Sequence, residues 1–344
     1  MEKSYIATRN KKNMEALSRI SENLPDCCFQ FLVGMEGYTS PLTRLNYACD
    51  LSIFFQFLSE NVFKKNIKKI LLEDINNLKS IDIESFLNNL NYYQYHGKNF
   101  SNGERAKGRK LATIRSFLKF HFNKDNIKSN VASKVATPKL HEKEIIRLEP
   151  NEVVKIINLA ENPGLGLSKK QSSYENKTAI RDTAILTILL GTGIRVSECV
   201  GLNILDIDFE SNAFKITRKG GNRVVLYFSN EIGDSLKKWI EKREEMADEN
   251  NPENALFLSL QKKRLCVKSI ENIVKKYAKV ISPLKNISPH KLRSTYGTNL
   301  YRETGDIYIV AEVLGHKDVN TTKKHYAAIS DDIRRDAAEK VKLR

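Results

Sequence analysis

The feature that most constrains the fold is a break near the middle of the chain. Residues 133–147 have no hydrophobic period, and Pro138 and Pro150 bracket a stretch of mixed charge. A chain of 344 residues is also long for one hydrophobic core. The sequence therefore predicts two domains, residues 1–135 and 150–330, joined by a linker over 136–149 and followed by a charged tail over 331–344.

The first domain is predicted to be helical. Apolar residues recur at helical spacing over 41–58 and 103–122, and Ser80 with an acidic first turn predicts a capped helix over 80–96. The helix over 103–122 begins with the basic residues Arg105, Lys107, Arg109 and Lys110. These four side chains are candidate phosphate contacts, and a solvated basic helix start is the alternative.

The second domain mixes helices with a strand pattern. A helix follows Pro150, and residues 179–202 predict a buried helix, a turn at Gly193 and a second helix. Alternating apolar and polar residues on both sides of Gly220-Gly221 predict a β-hairpin over 206–228. Further helices are predicted over 231–246, 268–280, 290–303, 306–314 and 319–328. The fold class is therefore mainly α with a small β-hairpin, an α+β arrangement.

Composition and charge indicate which binding partner and which cellular location to expect. The formal net charge is +16 and the pI is near 9.4, so nucleic acid is the first partner to expect, with a basic protein of other function as the alternative. No apolar run approaches the ~20 residues of a membrane span, and the N-terminus lacks a signal-peptide core, so we expect a cytoplasmic protein. Five cysteines without CxxC spacing favour reduced, mostly buried thiols over a zinc site or a disulfide framework.

Several polar residues stand in unusual local contexts. Arg195 follows a Gly-Thr-Gly turn, and Glu198 lies three residues later on the same helix face. This pair is either a buried ion pair between helices or a guanidinium held ready for a phosphate. Lys219 stands at the tip of the predicted hairpin, where it is either a solvated turn residue or a group that enters a DNA groove.

Two more segments carry candidate residues. His290 and Arg293 share the first turn of a helix that Ser288 and Pro289 introduce, and helix N-termini attract anions. Gly315 ends a helix, His316 follows it, and Tyr326 lies on the next predicted helix. Each segment taken alone fits ordinary surface or core packing.

Taken together and in this order, the residues resemble the tyrosine recombinase (phage integrase) family, and within it the Xer group. "GTGIRVSE" is similar to the family's first arginine box, "HKLRSTYGTNL" to its His-x-x-Arg box, and "LGHKDVNTTKKHYA" to its tyrosine end. "RKGGNRVV" resembles the lysine hairpin, although Arg218 stands where many members have Gly. The resemblance covers most of residues 148–330, and the first domain matches the helical, SAM-like core-binding domain more weakly.

The resemblance implies a mechanism. Tyr326 would attack a DNA phosphodiester to form a 3′-phosphotyrosyl bond and release a 5′-hydroxyl. Arg195 and Arg293 would bind the non-bridging oxygens, with a further hydrogen bond from His316. Lys219 would protonate the leaving oxygen.

The remaining implied roles need neither metal nor cofactor. His290 would act as general base or proton shuttle beside Tyr326, and Glu198 would support the site by pairing with an arginine or histidine. The resemblance also implies a C-shaped clamp of both domains on double-stranded DNA, and sequential strand exchange through a Holliday junction by a homo- or hetero-tetramer. The protein would be a monomer when free, and its tail would dock on a neighbouring protomer.

Alternatives stay open at this level. A type IB topoisomerase-like enzyme shares the same chemistry, and a DNA-binding protein without catalysis belongs to another class. Within recombinases, the arrangement is Xer-like, with about 40 residues in front of the helical domain and no small arm-binding domain expected. Chromosome dimer resolution and integration or excision of a mobile element are both compatible with the sequence.

Overall fold

The chain divides into two compact units. In the computed structural model, residues 5–140, 146–163, 169–218, 221–245, 254–316 and 318–319 are described. The first unit is Met1–Lys143 and the second is Glu144–Arg344. Both units are mainly helical and each contains a small antiparallel sheet, which confirms the predicted α+β class.

The first unit is built from helices and one short hairpin. Its elements are α1 (Tyr5–Ser21), α2 (Asp26–Gly34), α3 (Pro41–Phe57), α4 (Leu72–Asn76), α5 (Ser80–Asn89), β1 (Tyr93–Tyr95), β2 (Lys98–Phe100) and α6 (Glu104–Phe122). The start of α3 follows from its sequence, because Pro41 presets the first helical turn and the Ser40 hydroxyl accepts a hydrogen bond from the Thr43 amide at 3.2 Å.

Aromatic side chains form the centre of this unit. Phe31, Phe55 and Phe117 come from α2, α3 and α6 and are fully buried. The Phe117 ring meets the other two edge-on, with centroid separations of 5.6 and 5.7 Å. Edge-on packing of this kind adds to the free energy gained from burial, so these rings hold the three helices together.

The helix predicted over 80–96 is too long. The α5 helix ends at Asn89, and the residues after it form the β1–β2 hairpin, in which Tyr93 lies opposite Phe100. His96 and Gly97 form the turn with φ angles of 48° and 71°. Tyrosines favour strands, and the glycine permits the left-handed turn, so these local preferences end the helix. The predicted cap also differs, because the Asp82 carboxylate accepts from the Lys79 amide at 2.8 Å.

The second unit surrounds a long central helix. Its elements are α7 (Pro150–Glu161), α8 (Lys169–Thr192), α9 (Val196–Gly201), β3 (Ile207–Asp208), β4 (Ala213–Thr217), β5 (Arg223–Tyr227), α10 (Asn230–Glu244), α11 (Val267–Ile281), α12 (Pro289–Thr304) and α13 (Ile307–Leu314). The three strands form an antiparallel sheet in the order β3-β4-β5. The β4–β5 pairing runs from Ala213–Tyr227 to Thr217–Arg223, which is the predicted hairpin.

A buried charge network ties α8 to α11. Asp182 is fully buried on α8 and accepts hydrogen bonds from Arg181 at 2.7 Å, Lys276 at 3.1 Å and the Tyr277 hydroxyl at 3.2 Å. Burial and the nearby Asp182 carboxylate raise the pKa of Tyr277 well above its usual value, so this phenol stays protonated and donates. These hydrogen bonds offset the cost of burying the Asp182 carboxylate.

Two further sequence expectations concern thiols and membranes. All five cysteines fall within the described residues and are free, and Cys27, Cys28 and Cys199 are buried, as predicted. Nowhere in the described ranges is a helix both long enough and apolar enough to cross a bilayer.

The Glu152 carboxylate joins α7 to the turn after α11. It accepts from the Lys285 ammonium at 2.6 Å, from the Glu149 amide at 2.7 Å and from the Ser282 hydroxyl. Burial raises the pKa of Glu152, but these hydrogen bonds outweigh burial and lower the pKa from 4.5 to about 2.

Glu152→Gln should therefore destabilise the protein in a pH-dependent way. A carboxyl with a lowered folded-state pKa adds stability above pH 4.5, and this stability disappears as the pH falls toward 2. Urea unfolding at pH 6 should show a loss of about 1 kcal/mol, and the loss should shrink steadily below pH 4.5. Glu161→Gln, an exposed change on the same helix, is the control and should show neither effect. A loss for Glu152→Gln that stays constant with pH would contradict the assignment.

Candidate active site

Arg195 and Glu198 form the first part of the site. The α8 helix ends at Thr192, Gly193 turns the chain with a φ of 61°, and Arg195 precedes the first residue of α9. The Glu198 carboxylate accepts from the Arg195 amide at 2.8 Å and from its Nη1 at 2.9 Å. Glu198 is buried, whereas 36% of the Arg195 side chain is exposed. One carboxylate therefore caps α9 and fixes a guanidinium whose surface remains partly accessible.

Arg293 lies on the first turns of α12 and is buried. Its Nη1 donates to the Gly193 carbonyl at 2.6 Å, and its Nη2 donates to the Leu314 carbonyl. The guanidinium thus joins the turn that precedes Arg195 to the end of α13. Burying an arginine is costly unless hydrogen bonds compensate, so the two carbonyl acceptors fix the position of the Arg293 guanidinium.

The C-terminal end of α13 is the meeting point. Gly315 has a φ of 63° and ends the helix, with its amide bonded to the Glu312 carbonyl and the His316 amide bonded to the Ala311 carbonyl, each at 2.9 Å. The last carbonyls of a helix lack intrahelical donors and carry the negative end of its dipole. The Gly315 carbonyl accepts from Arg195 Nη2 at 3.3 Å, so Arg195 and Arg293 bind consecutive carbonyls.

A third arginine, to which the sequence analysis gave no role, reaches the same helix end. Arg218 follows β4, and its Nη2 donates to the Val313 carbonyl at 2.8 Å. Burial lowers the pKa of Arg218, while Glu198 raises it and Arg195 lowers it further, so these charges interact. The only sequence signal for this residue is an arginine at a hairpin position where many family members have glycine.

The other candidate residues differ in exposure, and some lie outside the described residues. His290 is exposed on the first turn of α12, and His316 is half-buried directly after Gly315. Ser288 occupies the N-cap position of α12, and its side chain makes no capping hydrogen bond. Lys219 and Tyr326 lie outside the described residues, as does the tail over 331–344. The structure therefore gathers Arg195, Arg293 and Glu198 with the His316 backbone.

The four basic residues at the start of α6 separate into two pairs. Arg105 and Arg109 are exposed, whereas Lys107 and Lys110 are buried. Lys107 forms an ion pair with Glu104 at 2.7 Å. The Lys110 ammonium lies 3.8 Å from the carboxylate of Asp50, a buried residue on α3.

Asp50 was missed by the sequence analysis and holds the start of α6 in place. It also accepts from Arg109 and from the Thr113 hydroxyl, the latter at 2.9 Å. Burial raises the pKa of Asp50 and lowers that of Lys110, and the attraction between opposite charges opposes both shifts. The sequence signal was the one acidic residue of α3, which only its distant partners explain.

The described part of the chain offers no metal site. Among the described residues, no group of three His, Cys, Asp or Glu side chains is arranged to hold a metal ion. The metal-free and cofactor-free chemistry remains a prediction of the resemblance.

Sequence comparison identifies the family. The profile of the phage integrase family matches residues 147–332, more than half of the chain. The tyrosine recombinase XerC of Caldanaerobacter subterraneus subsp. tengcongensis is 32% identical over 313 residues, which cover 88% of this chain and 82% of the relative. XerC of Leptospira interrogans is 27% identical over 316 residues, which cover 91% and 92%.

Solved structures share the fold. XerH bound to a palindromic difH substrate in a post-cleavage complex has a TM-score of 0.65 at 20% identity, over 88% of this chain and 80% of that one. The Tn1549 transposon integrase in complex with transposon right end DNA has a TM-score of 0.63 at 17% identity, over 92% and 99%. At these identities the likeness establishes the fold.

The chain belongs to the phage integrase family, the tyrosine recombinases. Within that family it is Xer-like, and it is a site-specific recombinase, an enzyme that cuts and rejoins DNA.

Gly193→Ala should disrupt the link between the arginine turns. At its φ of 61°, an added Cβ would lie 2.4 Å from Tyr296 Cδ1 and 2.9 Å from Leu314 Cδ2. We expect a loss of unfolding free energy about 1–3 kcal/mol larger than that of Gly305→Ala. DNA cleavage should also fall, because the Gly193 carbonyl binds Arg293.

Gly305→Ala is a matched control for this change. Gly305 has a similar φ of 65°, but nothing lies within 4 Å of an added Cβ. It should lose only about 1–2 kcal/mol, the backbone cost. Equal losses for the two variants in urea unfolding would show that packing around Gly193 is unimportant.

Proposed function

We propose that this recombinase cuts DNA with Tyr326 as nucleophile, forming a 3′-phosphotyrosyl bond and releasing a 5′-hydroxyl. The two paired strand exchanges then proceed in sequence through a Holliday junction. The observation that carries the proposal is the convergence of Arg195 and Arg293 on the consecutive carbonyls of Leu314 and Gly315. These residues lie within the segment that matches the family profile.

The two arginines would stabilise the charge that develops on the phosphate. Hydrogen bonds donated to carbonyls orient a guanidinium without cancelling its charge, and a planar guanidinium binds two phosphate oxygens at once. Donors fixed before the reaction need no reorganisation when the pentavalent phosphorus forms, which is the main source of electrostatic catalysis. Glu198 serves as the positioning partner of Arg195, since it bonds both its amide and its guanidinium.

Proton transfer completes the proposal. A free phenol has a pKa of ~10, so Tyr326 needs a base, and exposed His290 near Arg293 on α12 is assigned as base or shuttle. Lys219 is assigned as the acid that protonates the leaving 5′ oxygen. His316 follows the carbonyl that accepts from Arg195, so it is assigned a further hydrogen bond to the phosphate.

Double-stranded DNA is the proposed partner. The net charge of +16 favours it, and both XerH and the Tn1549 integrase were solved with DNA. The same proposal includes the arrangement of the protein on DNA. A core-binding domain (1–135) and a catalytic domain (150–330), joined by a linker over 136–149, form a C-shaped clamp around the duplex. Four protomers assemble on the DNA, and the tail over 331–344 of each docks on a neighbour. The free protein is a monomer and is located in the cytoplasm.

The biological role has two candidates. The XerC relatives and the structure of XerH on its difH substrate favour Xer-like resolution of chromosome dimers. The likeness to the Tn1549 transposon integrase favours integration or excision of a mobile element. DNA trapped covalently on the protein in cells, once recovered and sequenced, would distinguish a single chromosomal site from the ends of an element.

Tyr326→Phe should abolish covalent trapping of DNA. The recovered site is placed in a duplex with a nick beside the cleavage position. Cleavage by the wild-type protein then releases a short fragment that diffuses away, so rejoining fails and a protease-sensitive adduct should accumulate. The variant lacks the nucleophilic oxygen and should give none. Tyr308→Phe, a change at an exposed tyrosine on α13, should retain the adduct.

Other outcomes would identify the alternative functions. Absence of an adduct from the wild-type protein, despite tight binding to the site, would indicate a DNA-binding protein without catalysis. Relaxation of supercoiled plasmids that lack the site would indicate a topoisomerase. An adduct that persists in Tyr326→Phe would overturn the choice of nucleophile.

The α6 cations should differ in their contribution to DNA binding. Arg105 is exposed, whereas Lys107 is buried and paired with Glu104 at 2.7 Å. Each phosphate contact contributes about 0.9 to the slope of log K against log salt concentration. Arg105→Met should therefore weaken binding and reduce the slope by about 1.

Lys107→Met is the matched variant. It removes the same charge from the same helix and retains an apolar stem. Its salt slope should equal that of the wild type, measured by titration between 50 and 200 mM salt, a range in which phosphate contacts are strongly affected. A slope that changes for Lys107→Met but not for Arg105→Met would reverse the assignment.

A further inference from the structure

We propose that Arg218 is a positioning residue that aligns the proton donor of the cleavage step by fastening the end of β4 to the carbonyl end of α13. The inference rests on the proposed function, in which Lys219, the next residue, is that proton donor. Arg218 stands at a hairpin position where many family members have glycine, and the inference gives this side chain a role.

The contact between Arg218 and α13 joins residues that are far apart in sequence. Nη2 donates to the Val313 carbonyl at 2.8 Å, and Nη1 lies 3.5 Å from the Glu312 carbonyl. The negative end of the helix dipole attracts this cation. The guanidinium therefore reaches the helix end whose next two carbonyls accept from Arg293 and Arg195.

Gly315 makes room for the contact. A Cβ added at Gly315 would lie 1.7 Å from Arg218 Nη1 and 2.3 Å from its Cζ. The φ of 63° also favours glycine at this position. Any side chain at residue 315 would displace the Arg218 guanidinium, so the helix end and the arginine fit each other.

The position of Arg218 is electrostatically demanding. Burial disfavours its charge, and Arg195 repels it, while Glu198 attracts it. Its Nε is buried and has no hydrogen-bond partner among the described residues. A glycine at this position would carry no such cost, so the arginine stands here against a local penalty, as groups at many functional sites do.

The fastened backbone is the end of the hairpin. Arg218 continues the β4–β5 ladder beyond the Thr217–Arg223 pair, with its amide donating to the Asn222 carbonyl at 2.8 Å. Consecutive Cα atoms are about 3.8 Å apart, so a displacement of the Arg218 backbone would be passed on to the residue that follows it. A general acid must come within about 2.6–3.2 Å of the atom it protonates, so a small displacement slows the reaction.

The step that this alignment serves is a displacement at phosphorus. The Tyr326 hydroxyl gives its proton to His290 as base or shuttle, and its oxygen forms a bond to phosphorus. The bond from phosphorus to the 5′ oxygen breaks, and its electron pair goes to the 5′ oxygen. The Lys219 ammonium gives its proton to that oxygen. If sulfur replaces the 5′ oxygen, a thiolate leaves without a proton, because a thiol has a pKa of about 8.5.

The test compares single-turnover cleavage of two nicked duplexes that carry the recovered site, one with 5′ oxygen and one with 5′ sulfur. Arg218→Ala in the full-length protein should cleave the oxygen substrate about 10- to 100-fold more slowly than wild type. On the sulfur substrate its rate should return to about that of wild type. Arg218→Lys should lose less, and Arg218→Gln provides a second variant if the alanine variant does not fold.

Two control variants separate the possible explanations. Arg223→Ala removes an exposed arginine from the same hairpin, and any loss it causes should be equal on oxygen and sulfur. Lys219→Ala should be rescued by sulfur if Lys219 is the acid. Failure of that rescue would overturn the assignment of the acid, and with it the premise of this inference.

Two results would overturn the role of Arg218 while leaving Lys219 as the acid. Both require that sulfur rescues Lys219→Ala. One is Arg218→Ala being equally slow on both substrates, which would assign it to DNA binding or folding. The other is Arg218→Ala cleaving the oxygen substrate at the wild-type rate. Rescue of both variants by sulfur would establish the positioning role.

Discussion

Three guanidinium groups donate to three consecutive carbonyls at the C-terminal end of α13, and the rest of the site depends on this contact. Arg218, Arg293 and Arg195 bind the carbonyls of Val313, Leu314 and Gly315 in that order. These oxygens have no donors within the helix and carry the negative end of its dipole. They therefore bring three cations together, and under the proposed function Arg195 and Arg293 bind the phosphate at this helix end.

The contact also explains the surrounding backbone. Gly315 ends α13, so the last carbonyls of the helix accept from side chains, and Gly193 turns the chain so that its own carbonyl reaches Arg293. Glu198 supplies the negative charge that offsets part of the repulsion between Arg195 and Arg218. A charged cluster of this kind is stable because each member has a fixed partner, and the same rigidity is what electrostatic catalysis requires.

Local patterns predicted the elements well where one preference dominated. The helices around Arg195 and Arg293 and the hairpin after residue 206 follow from apolar periodicity and glycine turns. The helix over 80–96 was overextended, because helical spacing continued into tyrosines that pair as strands instead. Asp50 could not be assigned from sequence, since its partners Arg109 and Thr113 lie on another helix and only folding brings them near it.

The sequence by itself determined the family, because the order and spacing of the arginine, lysine, histidine and tyrosine motifs are properties of the chain alone. It also determined that the second unit carries those motifs. Only the tertiary structure decided which partner each side chain takes. A hydrogen bond between Arg218 and α13 spans 95 residues, and no local pattern encodes such a distance. The same folding buried Lys107 and Lys110 and left Arg105 and Arg109 accessible, because burial depends on the elements that pack against a helix and not on its own composition.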